Sequence, residues 1–129
     1  MAGFSDYLEA KVLNHVFGGT AYTAPSTLYV GLYTAAPSDS GGGTEVTGGS
    51  YARKSMPAMT VSGTTQATNG AAVEFVTATG SWGTVTHCGV FDAASSGNLL
   101  GWAALTASKT VASGDVFRFD AGDLDITLA

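Results

Sequence analysis

Near the start of the chain, apolar residues recur at helical spacing over about residues 5–17. The residues of this stripe are Leu8, Val12, Leu13, Val16 and Phe17. Steps of three and four positions bring them to one face of a helix. Ser5 can cap the first turn, and Gly18 and Gly19 predict the end of the helix, because glycine adopts the left-handed cap conformation without steric strain. A helix this short is marginal in isolation, so its stripe is expected to pack on its own domain or on a neighbouring subunit.

Beyond the helix the apolar period changes to two, which is typical of β-strands. In residues 28–33, the side chains of Leu28, Val30 and Leu32 share one face, which is a predicted core face. A second strand is predicted over residues 51–61. Pro57 interrupts it, because proline cannot donate to a strand ladder, so an edge or a bulge is expected there.

The rest of the chain consists of short predicted strands separated by Gly- and Ser-rich turns. These strands lie at residues 73–76, 82–91, 99–105, 109–112 and 116–119, and a last one carries Leu124, Ile126 and Leu128. The strands at 82–91 and 99–105 are predicted to form a hairpin, and those at 109–112 and 116–119 a second pair. This spacing is typical of an antiparallel β-sandwich or a jelly-roll-like barrel. We therefore predict a mainly β fold, a single domain over residues 1–129 with one N-terminal α-helix.

A long loop without periodicity, residues 36–50, separates two of the strands and contains three consecutive glycines. Loops of this length are often contact loops or disordered segments. With the helix stripe and the acidic C-terminus, this loop supplies the candidate contact elements. The candidate protein-contact residues are Leu8, Val12, Val16, Phe17, Gly41, Gly42, Gly43 and Tyr51.

Charged residues make up only 12% of the chain, which has five Lys and Arg residues and a formal net charge of −5. Five scattered cations cannot neutralise a nucleic-acid backbone, so direct DNA or RNA binding is not expected. A surface this poor in charge favours coverage by other protein chains. The N-terminus lacks the basic and apolar regions of a signal peptide, and no segment approaches about 18 apolar residues. We expect a protein that is made in a cytoplasm, stays soluble and does not enter a membrane.

Few residues could support catalysis or metal binding. The single cysteine, Cys88, excludes an internal disulfide and a thiolate zinc site. His87 and Cys88 are neighbours in a predicted strand and point to opposite faces, so a Cys–His pair would have to join His15 with Cys88. We expect His15 to be solvated or at an interface, and Cys88 to be a small buried residue.

The densest acidic group, Asp120, Asp123 and Asp125, could be a calcium site or a carboxylate pair. It lacks the ligand spacing of a calcium loop, and Asp123 and Asp125 alternate with apolar strand residues, so we expect both to face water. The aromatic residues could form a sugar-stacking platform, but strand aromatics usually fill the core. We therefore predict no enzyme activity, no catalytic residue, no metal and no cofactor.

Five segments of the sequence carry a resemblance to a known family. They are residues 17–20 (FGGT), 29–37 (YVGLYTAAP), 48–53 (GGSYAR), 87–93 (HCGVFDA) and 97–102 (GNLLGW). In this order they resemble a family of small tailed-bacteriophage proteins that are usually labelled tail fibre proteins. Some similar small β proteins are capsid decoration or cement proteins. The resemblance covers nearly the whole chain and implies a location in the virion, but it carries over no catalytic or ligand residue.

Of the virion locations, physical arguments favour capsid decoration. A fibre needs a shaft of heptads or repeats, and this chain has neither. A decoration protein needs a compact fold, self-association and a surface that matches many copies of a shell protein. We therefore expect a homo-oligomer, for instance a trimer, that contacts the major capsid protein. The alternatives are a tail or fibre subunit that contacts tail proteins, and a carbohydrate- or receptor-binding head.

Overall fold

The computed structural model describes residues 3–127, so Leu128 of the predicted last strand lies outside the described residues. The elements in chain order are β1 (Gly3–Phe4), α1 (Asp6–Val16), β2 (Leu28–Ala35), β3 (Thr44–Glu45), β4 (Lys54–Met56), β5 (Thr60–Ser62), β6 (Gln66–Thr68), β7 (Val73–Glu74), β8 (Gly83–Phe91), β9 (Leu99–Val111), β10 (Arg118–Phe119) and β11 (Asp125–Thr127). All strand pairs are antiparallel. The mainly β, sandwich-like fold with one N-terminal helix is confirmed.

The larger sheet has six strands in the order β1-β9-β8-β2-β3, and β4 also pairs with β2. Its centre is the predicted hairpin of β8 and β9, which is confirmed. Val30 and Leu32 of β2 are fully buried, as the alternation in residues 28–33 predicts. The core side chains of this sheet therefore come mainly from β2 and β8, the strands with clear apolar alternation.

The second layer consists of two smaller sheets, β10-β7 and β11-β6-β5. The core lies between this layer and the large sheet, and it is one continuous apolar cluster. Its buried members are Val30, Leu32, Val46, Met56, Val73, Phe75, Ala78, Trp82, Val85, Cys88, Val90, Val111, Phe117, Phe119 and Leu124. Burial of this apolar surface is the main force that holds the layers together.

The predicted pairing of residues 109–112 with 116–119 is wrong. Residues 109–111 extend β9 and pair with β8, whereas β10 pairs with β7. The turn at residues 113–115 does form, but it docks on Ala78, which exchanges two backbone hydrogen bonds with Gly114 and Asp115. The chain therefore crosses to the second layer, where Phe117 and Phe119 become buried.

Pro57 marks the point where the chain changes sheets. The strand predicted over residues 51–61 is two strands, β4 on the large sheet and β5 on the three-stranded sheet. Proline lacks an amide hydrogen, so it cannot continue a ladder, and the break falls where it was predicted. The adjoining strand β6 was not predicted, because its residues are polar or half-exposed and show no apolar alternation.

Candidate protein-contact surfaces

The second half of helix α1 and the residue after it present an apolar group that no other residue in the range 3–127 covers. We call Leu13, Val16 and Phe17 the helix end; their exposed fractions are 59%, 60% and 82%. Leu8 and Val12 of the same stripe are half-buried. Of the predicted contact residues on the helix, Val16 and Phe17 are therefore free for a partner, whereas Leu8 and Val12 pack in part on their own domain.

In the described part of the chain, the hydrogen bonds that anchor the helix to the sheet are made by its N-cap residue, Ser5. The Ser5 amide donates to the Leu100 carbonyl at 2.8 Å, and the Ser5 hydroxyl donates to the Leu99 carbonyl. The Ser5 oxygen also accepts from the Leu8 amide at 3.2 Å, which is the predicted N-cap. Eleven residues rise about 16 Å, so the helix end lies well away from this anchor.

The loop at residues 36–50 contains a hydrogen-bonded turn at residues 38–41. Ser38 and Gly41 exchange two backbone hydrogen bonds, and Asp39 at the tip accepts from the Asp6 amide at 2.9 Å. Gly41, Gly42 and Gly43 all have positive φ, which favours glycine. The loop also contains β3, which its composition did not predict. Gly41 and Gly42 thus lie beside the start of the helix, at the opposite end from Phe17.

Tyr51 packs inside the domain. Its ring lies 5.3 Å from the ring of Trp82 and 6.3 Å from that of Phe75, measured between centroids. Its hydroxyl accepts from the Leu32 amide at 2.9 Å and donates to Glu45 at 2.7 Å. This hydroxyl occupies the edge of β2 between the stretches that pair with β3 and β4. The structure therefore gives Tyr51 a packing role.

Burial raises the pKa of Tyr51 far above its ordinary value of 10.0. The hydrogen bond and charge of Glu45 act in the same direction, because they favour the protonated hydroxyl. The Leu32 amide opposes them by stabilising the phenolate. The hydroxyl therefore remains a donor to Glu45 through the neutral pH range.

Arg53 forms a largely buried ion pair with Glu45 that the sequence did not reveal. Its Nε and Nη2 donate to the two carboxylate oxygens of Glu45, both at 2.9 Å. Its Nη1 donates to the carbonyls of Ala93 and Ser96, and its guanidinium lies 3.5 Å from the ring centroid of Phe91. The one sequence feature that points to this pair is the scarcity of cations: the chain has five Lys and Arg residues. Arg53 therefore connects β3 to the hairpin loop at residues 92–98.

The C-terminal aspartates are held in a surface turn. Asp120 accepts from Arg118 at 2.8 Å, and its amide donates to Asp123 at 3.1 Å. The buried Asn69 organises this turn, since its Oδ1 accepts from the Leu124 amide at 2.9 Å. Asp123 and Asp125 are exposed, as predicted. Within residues 3–127, no three His, Cys, Asp or Glu side chains are grouped to hold a metal ion.

The nucleophile and base candidates occupy different environments. Cys88 is 6% exposed in the core, and burial raises the pKa of its thiol from 9.0 to about 11. His15 is exposed, and its Nδ1 accepts from the Tyr22 amide at 3.0 Å. The predicted environments of both residues are confirmed. A thiol with so high a pKa is almost entirely protonated at neutral pH and is a poor nucleophile.

Most strand aromatics are buried. Those buried to 9% exposure or less are Tyr33, Phe75, Trp82, Phe91, Phe117 and Phe119. Trp102 is half-exposed, and its indole donates to Asp39 at 3.0 Å. A stacking platform needs exposed rings, so this set does not form one.

A cleft opens between β9 and the C-terminal segment; we call it the edge cleft. Its volume is about 490 Å³. One wall is residues 101–109 and the other is residues 123–126, and Phe117 and Phe119 contribute apolar surface. Sequence reasoning missed this cleft, because it depends on where β11 stops pairing.

Comparison with known proteins gives one family. The family model described as Podophage GP4 fiber I protein gp80 matches residues 3–127, nearly the whole chain. No curated protein sequence matches. In the described part of the chain, no helix is both long enough and apolar enough to span a membrane.

Proposed function

Because the chain belongs to the family described as Podophage GP4 fiber I protein gp80, we propose that it is a structural subunit of a fibre-type appendage of a phage particle. Members of this family are bacteriophage virion proteins. The observation that carries the proposal is the match over residues 3–127, which spans every element of the fold. The exposed helix end supports it, because appendage subunits act by packing on other chains.

We also propose that the chain works by protein contacts and not by catalysis. The groups best suited to chemistry are engaged in structural roles: Cys88 is a buried thiol, Tyr51 spans a strand gap, and Arg53 pairs with Glu45. The described surface presents an exposed apolar group at the helix end and strands at the edges of its sheets. These features suit recognition of protein chains.

Capsid decoration is the second candidate. It is favoured by the absence of heptads and repeats from the sequence, since a chain without a shaft motif suits a compact unit on a shell. In this role the chain would contact the major capsid protein. The same helix end would serve either location.

Cross-linking of purified particles followed by mass spectrometry separates these proposals. The amines of Lys11, Lys54 and Lys109 lie on the helix, β4 and β9, so one amine-reactive reagent samples contacts of three elements. Links to tail or appendage proteins are the expected result. Links to the major capsid protein alone would replace the fibre proposal with decoration, and absence of the chain from purified particles would overturn both.

A further inference from the structure

A second recess lies on the face of the large sheet away from the core; we call it the helix-start pocket. Its volume is about 540 Å³, within the range of small-molecule sites. Tyr33 follows the core residue Leu32 in β2 and therefore points to this face. Towards its N-terminus β1 pairs Gly3 with Trp102, so the chain leads away from Leu99 and from the pocket. The residues that line the pocket are 5–7, 39–42, 96–99, Tyr33, Arg53 and Phe91.

Hydrogen bonds within the chain hold the walls of the pocket in place. The Asp6 amide donates to the Asp39 carbonyl at 2.9 Å, which joins the start of the helix to the glycine-rich turn. In the hairpin loop, the backbone and side-chain amides of Asn98 donate to the Asp92 carboxylate at 2.7 and 2.9 Å. Arg53 binds two carbonyls of the same loop. The pocket is therefore formed before any ligand enters it, as is usual for ligand sites.

The Tyr33 hydroxyl is a polar group of this pocket that lacks a partner. Tyr33 is only 5% exposed, yet no residue in the range 3–127 forms a hydrogen bond with its hydroxyl. Within the described residues, the fully buried side-chain oxygen without a partner is Thr68 Oγ1, so the Tyr33 hydroxyl still contacts open space. The open space that Tyr33 lines is the helix-start pocket. Because hydroxyls at such depth normally have a partner, this one indicates a ligand.

The floor of the pocket supplies two hydrogen-bond donors. Burial, and next the charge of Glu45, raise the pKa of Tyr33 above its ordinary value of 10.0, while Arg53 acts in the opposite direction. The hydroxyl is therefore protonated at neutral pH. The Arg53 guanidinium has five N–H groups, and four of them bind Glu45, Ala93 and Ser96. The fifth, on Nη2, has no partner in the described part of the chain.

The rim of the pocket supplies acceptors. Asp6 and Asp39 are exposed, and neither belongs to an ion pair among residues 3–127. Their charges disfavour an anion, because the charge of Arg53 is already balanced by Glu45. The donors of the floor disfavour a cation. A neutral ligand that both donates and accepts hydrogen bonds therefore suits the floor and the rim together.

Sugar hydroxyls meet this requirement, since each of them both donates and accepts. Tyr7, a half-exposed ring on the pocket wall, offers apolar surface to the C–H groups of a sugar. A peptide backbone also donates and accepts, but an extended peptide binds by adding to a free strand edge. β2 and β8 are paired on both sides here, and Ser5 covers the edge of β9 at Leu99 and Leu100. The pocket therefore favours a saccharide over an added strand.

We propose that the helix-start pocket binds a neutral saccharide unit. The Tyr33 hydroxyl and the free N–H of Arg53 donate to its oxygens, and the carboxylates of Asp6 and Asp39 accept from its hydroxyls. This binding site is additional to the structural role of the chain. It does not depend on the location of the chain in the particle.

The test uses two variants of the full chain, each with a matched control. Tyr33→Phe removes only the unpartnered hydroxyl, and Tyr29→Phe makes the same change on the same strand outside the pocket. Asp6→Asn removes one rim charge, and Glu9→Gln does so in the same turn of the helix without touching the pocket. The probes are glucose, galactose, mannose, rhamnose and N-acetylglucosamine. Acetylated trialanine amide is the peptide probe.

Titration is followed through the backbone amide signals of the nitrogen-15-labelled chain by NMR. We expect saturable shifts with at least one of these sugars, largest at residues 5–7, 39–42 and 96–99. Tyr33→Phe and Asp6→Asn should each weaken this binding about 3- to 10-fold, as for the loss of one hydrogen bond. Tyr29→Phe and Glu9→Gln should bind as the unmodified chain does. The thermal midpoint of Tyr33→Phe should be unchanged, because its hydroxyl has no partner in the described chain.

The inference is overturned if none of these sugars gives saturable shifts at the pocket, or if Tyr33→Phe binds as tightly as the unmodified chain. Shifts at the pocket with the peptide probe and with no sugar would assign the pocket to a protein partner instead. None of these results bears on whether the chain is part of the particle. That question is answered by the cross-linking of purified particles, so the two proposals fail separately.

Discussion

Arg53 joins three parts of the chain that are far apart in the sequence. It pairs with Glu45 of β3, caps two carbonyls of the loop at residues 92–98 and covers the ring of Phe91. Its side chain is 9% exposed, whereas that of Glu45 is 24% exposed. Removal of one partner of a largely buried pair leaves the other charge desolvated without compensation, which is more damaging than loss of a surface pair.

We predict that Arg53→Met lowers the free energy of unfolding by about 3 kcal/mol, the lower end of the range for a broken buried pair, because Glu45 retains some solvent contact. Urea denaturation measures the change. Arg118→Met is the matched control: Arg118 also binds two carboxylates, but it is half-exposed, so its replacement should leave the midpoint nearly unchanged. Equal effects for the two variants would contradict this role of Arg53.

The buried thiol of Cys88 should make the fold less stable as the pH rises above 9. Burial raises the pKa of its thiol from 9.0 to about 11, so the folded state resists deprotonation more than the unfolded state does. The stabilisation is complete below pH 9 and is lost as the pH rises towards 11, because the unfolded chain then holds fewer protons. The loss is on the order of 2–3 kcal/mol.

We predict that the stability difference between the unmodified chain and Cys88→Ala shrinks between pH 9 and pH 11. The substitution leaves a small cavity whose effect is independent of pH, so the change with pH isolates the thiol. Urea denaturation of both chains at several pH values gives the two curves. Parallel curves over this interval would show that the thiol does not titrate as proposed.

At the scale of elements, two facing glycines leave room for neighbouring side chains to lie across the large sheet. Gly31 of β2 and Gly89 of β8 are partners across the ladder. A Cβ on Gly31 would lie 2.8 Å from the Cε1 atom of Phe91. A Cβ on Gly89 would lie 2.8 Å from the Cδ1 atom of Leu99. Neither position has room for a methyl group without movement of its neighbours.

Replacement of either glycine by alanine should therefore lower the free energy of unfolding by about 1–3 kcal/mol, the usual effect of overpacking. Gly3→Ala in β1 is the control, because no heavy atom lies within 4 Å of the added Cβ. Thermal denaturation compares the three variants. A fall in stability for Gly3→Ala as large as for Gly31→Ala would indicate a general effect of glycine replacement in strands.

The helix should be less protected than the central strands of the large sheet. None of its residues is buried, and in the described chain its hydrogen bonds to the sheet are made by its N-cap residue, Ser5. We predict that its amides exchange with deuterium much faster than those of β8 in the monomer. Ser5→Ala removes the N-cap, worth about 1 kcal/mol, and should abolish the remaining protection of the helix without changing β8. Exchange followed by NMR resolves the two elements, and equal protection would contradict this account.

At the scale of the whole molecule, strong apolar periodicity decided what the sequence could predict. The helix stripe, the alternation around Val30 and the β8–β9 hairpin are all present in the structure. The strands β3 and β6 were missed, because they are short, their residues are polar or only half-buried, and they show no apolar alternation. The partner of residues 109–111 depends on where Phe117 and Phe119 become buried, which no local pattern encodes.

The candidate site divides in the same way. The exposure of Val16 and Phe17 agrees with the sequence prediction of a contact stripe. A short amphipathic helix is stable only when its apolar face packs on something, so the part that its own domain leaves exposed is available to a partner. The sequence predicts Tyr51 as a contact residue, but its hydroxyl bonds Leu32 and Glu45 and its ring packs against the core. The edge cleft was not predictable, because it arises where two ladders stop, and the end of a ladder depends on the three-dimensional arrangement.

The central claim is that this chain is a structural subunit of a phage appendage and acts through contacts with other protein chains. Cryo-electron microscopy of purified particles tests it most directly. We expect density for the β8–β9 hairpin and the projecting helix in several copies along an appendage, with each helix end against a neighbouring subunit. Density for this fold spread over the capsid shell would contradict the appendage claim, and its absence from the whole particle would contradict the structural role itself.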